Sequence, residues 1–140
     1  MFEVRIVKPE ETLSVRKQVL WPNLPIDELR LAEDHSGVHF ALVLREDEEE
    51  RIVGVASFFP EGSDARLRKM AILPEVQGKG CGTHILEAAI AYLASIGVKR
   101  IWCDVRQSAT GFYKSLGFVI GGDVFLKNGL EYLQAEKHVG

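Results

Sequence analysis

Apolar and polar residues alternate over Phe2-Glu3-Val4-Arg5-Ile6-Val7, which predicts an opening strand ended by Lys8-Pro9. Leu13, Arg16, Lys17 and Leu20 then share one helical face. Trp21-Pro22-Asn23-Leu24-Pro25 breaks that helix, and Ile26 to Glu33 reads as a second one. Two apolar runs, Val38 to Arg45 and Ile52 to Phe59, read as strands joined across Glu46-Asp47-Glu48-Glu49-Glu50. That acidic stretch reads as a solvated hairpin loop rather than a substrate-attracting patch. Ala65 to Leu73 completes an antiparallel meander. Downstream, Ile85, Leu86, Ala89, Ile90, Leu93 and Ile96 recur at helical spacing, so they predict a core-facing stripe that Gly97 terminates. Ile101 to Val105 is a short strand, and Ser108 is expected to cap a helix running through Leu116. Phe118 to Phe125 and Leu130 to Ala135 form a closing hairpin around Lys127-Asn128-Gly129. No repeat or linker interrupts this order, so residues 1–140 are expected to form one α/β domain.

Between the third strand of the meander and the long helix lies Gln77-Gly78-Lys79-Gly80-Cys81-Gly82-Thr83. Glycines at alternate positions allow positive φ angles and a close approach of backbone to ligand. The helix that follows points its unpaired N–H groups and positive dipole end at the turn. The dipole contributes only about 0.3–1 kcal/mol. Charge-assisted bonds from several N–H groups, roughly 1.5–3 kcal/mol each, are what could hold a ligand, and a pyrophosphate has the oxygens to receive them. The expected ligand is therefore a phosphorylated cofactor.

Two common phosphate loops fail on these residues. A P-loop requires Ser or Thr after its Gly-Lys pair, and Gly80 follows Lys79. The dinucleotide fingerprint requires a third glycine where Thr83 stands. Gln77, two residues, Gly80, one residue and Gly82 instead match the Gln/Arg-x-x-Gly-x-Gly/Ala signature of the GNAT superfamily of N-acyltransferases. Leu67-Arg68-Lys69-Met70-Ala71-Ile72-Leu73-Pro74-Glu75 resembles that family's fourth strand and the link after it. Ala109-Thr110-Gly111-Phe112-Tyr113-Lys114-Ser115-Leu116-Gly117-Phe118 resembles its alanine, tyrosine, then Gly-Phe segment. The likeness is to small bacterial-type single-domain members. It covers Val38 to Phe125 well, and the first third by element order alone.

The resemblance implies a GNAT fold: a mixed, mostly antiparallel sheet of about seven strands, helices on both faces, and a cleft where strands four and five splay. It implies acetyl transfer from acetyl-CoA to a primary amine by direct attack, with no metal. By alignment, the main chain of Met70, Ala71 and Ile72 lies along the pantetheine arm, and Met70 N–H is the oxyanion donor. Gln77, Gly78, Lys79, Gly80, Cys81, Gly82 and Thr83 surround the diphosphate, while Ala109, Phe112 and Tyr113 flank the cofactor. Tyr113 is the general acid, since a phenol near pKa 10 can protonate a thiolate whose conjugate acid lies near 8.5. Many members have Asn three residues before the motif alanine, where this chain has Arg106, so contacts to the cofactor from that position are not carried over. Packing readings stand beside these: Met70 and Ile72 as ordinary paired-strand residues, and Tyr113 as a ring wedged between Phe112 and Phe118.

No residue stands out as a base. Glu75 lies near the turn, and a water chain to His39, Asp34 or His35 is open; positioning alone can supply much of the rate. The amine side is assigned by resemblance to Arg16, Trp21 and the Val124 to Tyr132 region. The acceptor is a small molecule or a peptide amine, its identity unread.

Composition narrows the setting. A chain of 140 residues with 46% hydrophobic content can bury a core, and a formal charge of −3 with a pI near 5.8 gives no broad basic surface for nucleic acid. No apolar run approaches a bilayer span, and the start lacks a signal-peptide core. Two cysteines, Cys81 and Cys103, suit a reducing cytoplasm, and neither is expected to be a nucleophile. A homodimer is compatible with the family. Two rival readings remain: an acyl-CoA-binding sensor without catalysis, and a generic nucleotide-binding module.

Overall fold

Strands β1 (Phe2–Val7), β2 (Val38–Glu46), β3 (Glu49–Glu61), β4 (Asp64–Ile72), β5 (Arg100–Arg106), β6 (Val119–Lys127) and β7 (Leu130–His138) form one sheet in the computed structural model, which describes residues 1–140. Their order is β1-β2-β3-β4-β5-β7-β6. Every neighbouring pair is antiparallel except β4 with β5. Three α-helices complete the fold: α1 (Leu13–Val19), α2 (Cys81–Ser95) and α3 (Thr110–Ser115).

Neighbouring residues on a strand point to opposite faces, and this shows how the helices are distributed. Arg16 of α1 reaches Ser57 on β3, whereas Tyr92 of α2 packs its ring edge-on to Phe40, which in turn meets Phe58. Ser57 and Phe58 are adjacent, so α1 and α2 cover opposite faces. Both faces of the central strands are therefore dry: Phe40, Ala41, Leu42, Val43 and Leu44 are all buried, as are Val53, Val55, Ala56 and Phe58. That explains the near-continuous apolar runs, which one-sided sheets do not show.

Ile85, Leu86, Ala89 and Leu93 of α2 are fully buried, and each larger side chain contributes about 1.5–3 kcal/mol by leaving water. Ile90 is half-buried. Ile96 is not part of the stripe: it follows the last helical turn and is 52% exposed. Gly97 at φ 102° then turns the chain away, and Val98 N–H donates to Leu93 O at 3.0 Å.

Two other expectations change. Ile26 to Glu33 is not a helix but a 3-10 turn, Ile26–Leu29, with a second at Asp34–Ser36. Leu29 is the only residue of the first turn that is buried, and Arg30 is extended at ψ 139°. One anchor cannot offset the nucleation cost of a short helix set behind Pro22 and Pro25. Ser108 does not cap α3. It lies inside a 3-10 turn, Gln107–Ala109, and Thr110 Oγ1 donates to Gln107 O at 3.1 Å instead.

The acidic segment is more ordered than a free loop. Only Asp47 and Glu48 turn, both at positive φ, while Glu50 accepts bidentate bonds from Arg5 and also pairs with Arg45. Those guanidinium groups hold the Glu50 carboxyl at about 2. At the far edge, Asn128 and Gly129 adopt φ 54° and 76°, as a two-residue hairpin turn requires.

Candidate active site

The parallel contact between β4 and β5 shapes the site. It consists of three residue pairs, Asp64 with Arg100, Ala65 with Ile101 and Arg66 with Trp102. Beyond Arg66 the strands part. On its other edge β4 carries a bulge against β3: Val55 pairs with Ala71 and Ser57 with Arg68, so Ala56 faces both Lys69 and Met70. Lys69 takes φ 56°, a left-handed conformation rare for a residue with a side chain. The bulge falls a few residues past the last β5 pairing, so at Met70 the β4 edge that faces β5 has no partner.

The glycine turn closes one end of the resulting cleft. Gly78 and Gly80 have φ 79° and 76°, and Gly80 is the residue before the first turn of α2. Gly82 differs from the sequence reading because it is helical and needs no positive φ. Its requirement is space: a Cβ there would lie 3.1 Å from Phe112 Cζ and 3.2 Å from Met70 Cε. His84 N–H is the first amide of α2 to reach a turn carbonyl, donating to Gly80 O at 3.0 Å. The amides of Cys81, Gly82 and Thr83 precede it and have no intrahelical acceptor. Gln77 Nε2 donates to Ile72 O at 2.9 Å, which fastens the turn to the end of β4 and uses that carbonyl.

A cavity of about 910 Å³ fills this cleft. Met70, Ile72, Gln77, Gly78, Gly80, Cys81, Gly82, Thr83, Ala109, Phe112 and Tyr113 all line it. Ala71 and Lys79 do not. Ala71 faces the core at 4% exposure, and Lys79 extends into solvent. Val19, Val76 and Arg106 line it without having been singled out from the sequence as cofactor contacts. Val19 and Val76 lie outside both motifs and carry no chemical signal; Arg106 was visible only as a departure from the family pattern.

A second cavity, about 350 Å³, opens between β4, β5 and the β6–β7 hairpin. It shares Met70, Arg106, Ala109 and Tyr113 with the first, so the two meet at those residues. Tyr113 stands at the junction. Its ring packs edge-on between Phe112 and Phe118, and its hydroxyl lies 3.9 Å from Met70 Sδ. Burial, and to a lesser degree the neighbouring Cys103, raises the phenol above its usual value of 10, so it is protonated across the physiological range. Burial likewise pushes the Cys103 thiol up to about 12 and raises that of Cys81. Neither is a ready nucleophile.

The remaining candidates separate clearly. Trp21 and Tyr132 line the second cavity, whereas Val124 is exposed outside it. Arg16 does not wall the amine side. It is fully buried, donating to both carboxylate oxygens of Asp34 at 2.8 and 3.0 Å, to Ser57 Oγ and to Leu29 O. His39 belongs to the same network: Nε2 faces the Asp34 carbonyl at 2.8 Å, and Nδ1 faces Ser57 Oγ at 2.7 Å. A carbonyl only accepts, so Nε2 carries a proton, and with Nδ1 bonded to Ser57 Oγ the ring has no free lone pair. His35 bonds to Ala32 O, and Glu75 pairs with Arg51 at 3.2 Å. None of these lines either cavity.

Lys69 was missed as a site residue, although it sits beside Met70 in the strand segment singled out from the sequence. Its ammonium lies 4.3 Å from the centre of the Trp21 ring, within the second cavity. Desolvation, then the charges of Arg68 and Lys127, lowers its pKa to about 8.

Residues 7–118 match the acetyltransferase (GNAT) family, and the chain belongs to it. The N-acetyltransferase YitI of Bacillus subtilis (strain 168), itself uncharacterized, is 32% identical over 132 residues, which cover 89% of this chain and 87% of YitI. The ribosomal-protein-S18-alanine N-acetyltransferase from Escherichia coli superposes with a TM-score of 0.78 at 17% identity, covering 99% of this chain and 94% of that one. The spermidine/spermine N-acetyltransferase SpeG from Vibrio cholerae gives a TM-score of 0.74 at 18% identity, covering 98% and 92%. Those two likenesses establish the shared fold. Family membership supports acyl transfer from acetyl-CoA in general terms.

Proposed function

We propose that this chain transfers an acetyl group from acetyl-CoA directly to a primary amine, with Met70 N–H as oxyanion donor and Tyr113 as general acid. The carrying observation is that the glycine-closed cleft and the second cavity meet at Met70 and Tyr113. Acetyl-CoA supplies the activated acyl group. The amides of Cys81, Gly82 and Thr83 bind its diphosphate, where charge-assisted bonds of roughly 1.5–3 kcal/mol each outweigh the helix dipole. The small side chain of Ala109 and the absence of one at Gly82 leave room for the arm to pass Phe112.

The β4 edge at Met70 has no partner on β5, so a backbone N–H there can meet the negative charge that develops on the thioester oxygen. Tyr113, held protonated by burial, gives its proton to the departing sulfur, and the proton shed by the attacking nitrogen as the amide forms restores the phenol through solvent. Attack requires a neutral amine. With His39 and Glu75 engaged elsewhere, alignment of amine and thioester across the junction carries more of the rate.

Thiol release from acetyl-CoA with an amine panel, run beside Tyr113→Phe, tests this reading. The expected result is a fall in kcat of about 10²-fold or more with acetyl-CoA affinity within twofold. Binding of acetyl-CoA without turnover of any amine would point to the sensor reading. Stabilisation by ATP and not by acetyl-CoA would remove the acyltransferase.

A further inference from the structure

The second cavity is lined by five cationic side chains, Arg66, Arg68, Lys69, Arg106 and Lys127, against one carboxylate, Asp104. The chain as a whole carries a charge of −3, so this concentration runs against its overall balance. Asp104 is already engaged: Arg66 donates to its Oδ2 at 3.0 Å, and Lys127 lies 3.5 Å from the same oxygen. Arg68 pairs with Glu33, outside the cavity. Lys69 and Arg106 take part in none of the molecule's ion pairs. Arg106 is exposed and stands where the two cavities join, whereas Lys69 is half-buried and rests on Trp21. Positive charge withdrawn from water without a counter-ion is unfavourable, and an incoming anion relieves it.

We infer that the acceptor is an amine bearing an oxyanionic group, which Lys69 and Arg106 hold while the amine reaches the Met70–Tyr113 junction. The inference rests on the acetyltransferase reading and narrows its substrate. A polycation meets like charge on most sides of this cavity and is disfavoured, in contrast to the substrate named for the structurally similar SpeG. The same surroundings favour the chemistry. Withdrawal from water, reinforced by nearby cations, promotes loss of the acceptor ammonium's proton, as the lowered pKa of Lys69 illustrates, and this eases the lack of a side-chain base.

Acetyl-CoA binding is measured first by calorimetry, and failure there defeats the acetyltransferase reading itself. Thiol release is then compared within matched pairs: phenylalanine with phenylalaninamide, O-phosphoethanolamine with ethanolamine, and a peptide beginning Ser-Asp-Ala with one beginning Ser-Asn-Ala. Spermidine is included. The expected result is a kcat/KM for the anionic member of at least one pair about tenfold or more above its neutral partner, as a charge-assisted contact provides. The pair that responds identifies the source of the anion.

Lys69→Asn removes the charge with a residue that tolerates positive φ. It should bring that ratio to within about twofold, while Lys69→Arg retains most of it; Arg106→Gln should shift it in the same direction as Lys69→Asn. Preference for neutral members or spermidine, with acetyl-CoA bound, would overturn the inference and leave acetyl transfer standing. Absence of turnover with every anionic member, or an unchanged ratio in both charge-removing variants, would also overturn it.

Discussion

Replacing Gly80 with alanine isolates the glycine turn as a cause of both stability and affinity. Gly80 sits at φ 76°, ψ 12°, and a Cβ built on it would have no atom within 4 Å. The substitution therefore introduces backbone strain without a steric clash. A left-handed conformation costs a residue with a side chain about 1–2 kcal/mol. Stiffening of the unfolded chain works the other way and offsets part of that loss, by about 0.4–1 kcal/mol where glycine is replaced. A net loss of about 0.5–1 kcal/mol follows, or roughly 2–4 °C in Tm for a chain of this size. The backbone could escape by rotating to negative φ, and the strain would then reappear as misdirected amides at Cys81, Gly82 and Thr83. Losing one charge-assisted bond would weaken acetyl-CoA binding by about tenfold or more.

Urea unfolding and calorimetry with acetyl-CoA, on the same preparation, separate the two outcomes. Gly80→Asn should lose less, because Asn enters the left-handed region more readily. Gly111→Ala is the control: Gly111 lies inside α3, has open space and no positive φ, and should gain slightly. If Gly80→Ala matches the parent in both unfolding midpoint and affinity, the turn is neither strained nor a ligand cradle.

Asp34→Asn leaves Arg16 buried without its counter-ion and should cost about 3 kcal/mol or more by urea unfolding. Burial pushes the Asp34 carboxyl up, but the bond from Arg16 and the Leu31 amide outweigh it, so its folded pKa lies below the usual value. Stability from this group is therefore complete above the unfolded value near 3.9 and lost as pH falls through the lower folded one; the variant should flatten the acid limb of an unfolding-midpoint profile there. Leu86→Ala, at a fully buried position under the sheet, should lose about 3–5 kcal/mol in the same measurement. Cys81 and Cys103 should react slowly with a thiol reagent at neutral pH and quickly in denaturing urea; rapid native labelling of both would contradict their burial.

Elements built on local periodicity were legible in the sequence. The stripe from Ile85 to Leu93 and the Asn128-Gly129 hairpin each carry their own signal, and the glycine turn announces both its conformation and the helix behind it. What the sequence withheld depends on contacts between distant residues. Arg16 reads by resemblance as a wall of the amine side, but Asp34 and Ser57, 18 and 41 residues away, hold it in the interior. Lys69 looks like an ordinary strand lysine because the bulge that turns it belongs to the pairing with β3. Ile26 to Glu33 has the composition of a helix but, apart from Leu29, lacks a buried side to hold it. Gly82 reads as a third flexible glycine, although its need is clearance beside Phe112 and Met70.

The three-rung join between β4 and β5 makes the sheet two plates on a short spine. The glycine turn proposed to bind the diphosphate lies on the first plate, whereas the second cavity, the proposed acceptor pocket, straddles the gap, with Lys69 on one side and Lys127 and Tyr132 on the other. A slight tilt of one plate against the other would widen or narrow that second cavity while leaving the glycine turn where it is. Substitutions along that spine, at Ala65 or Ile101, offer a lineage a way to retune what it acetylates while keeping what it acetylates with.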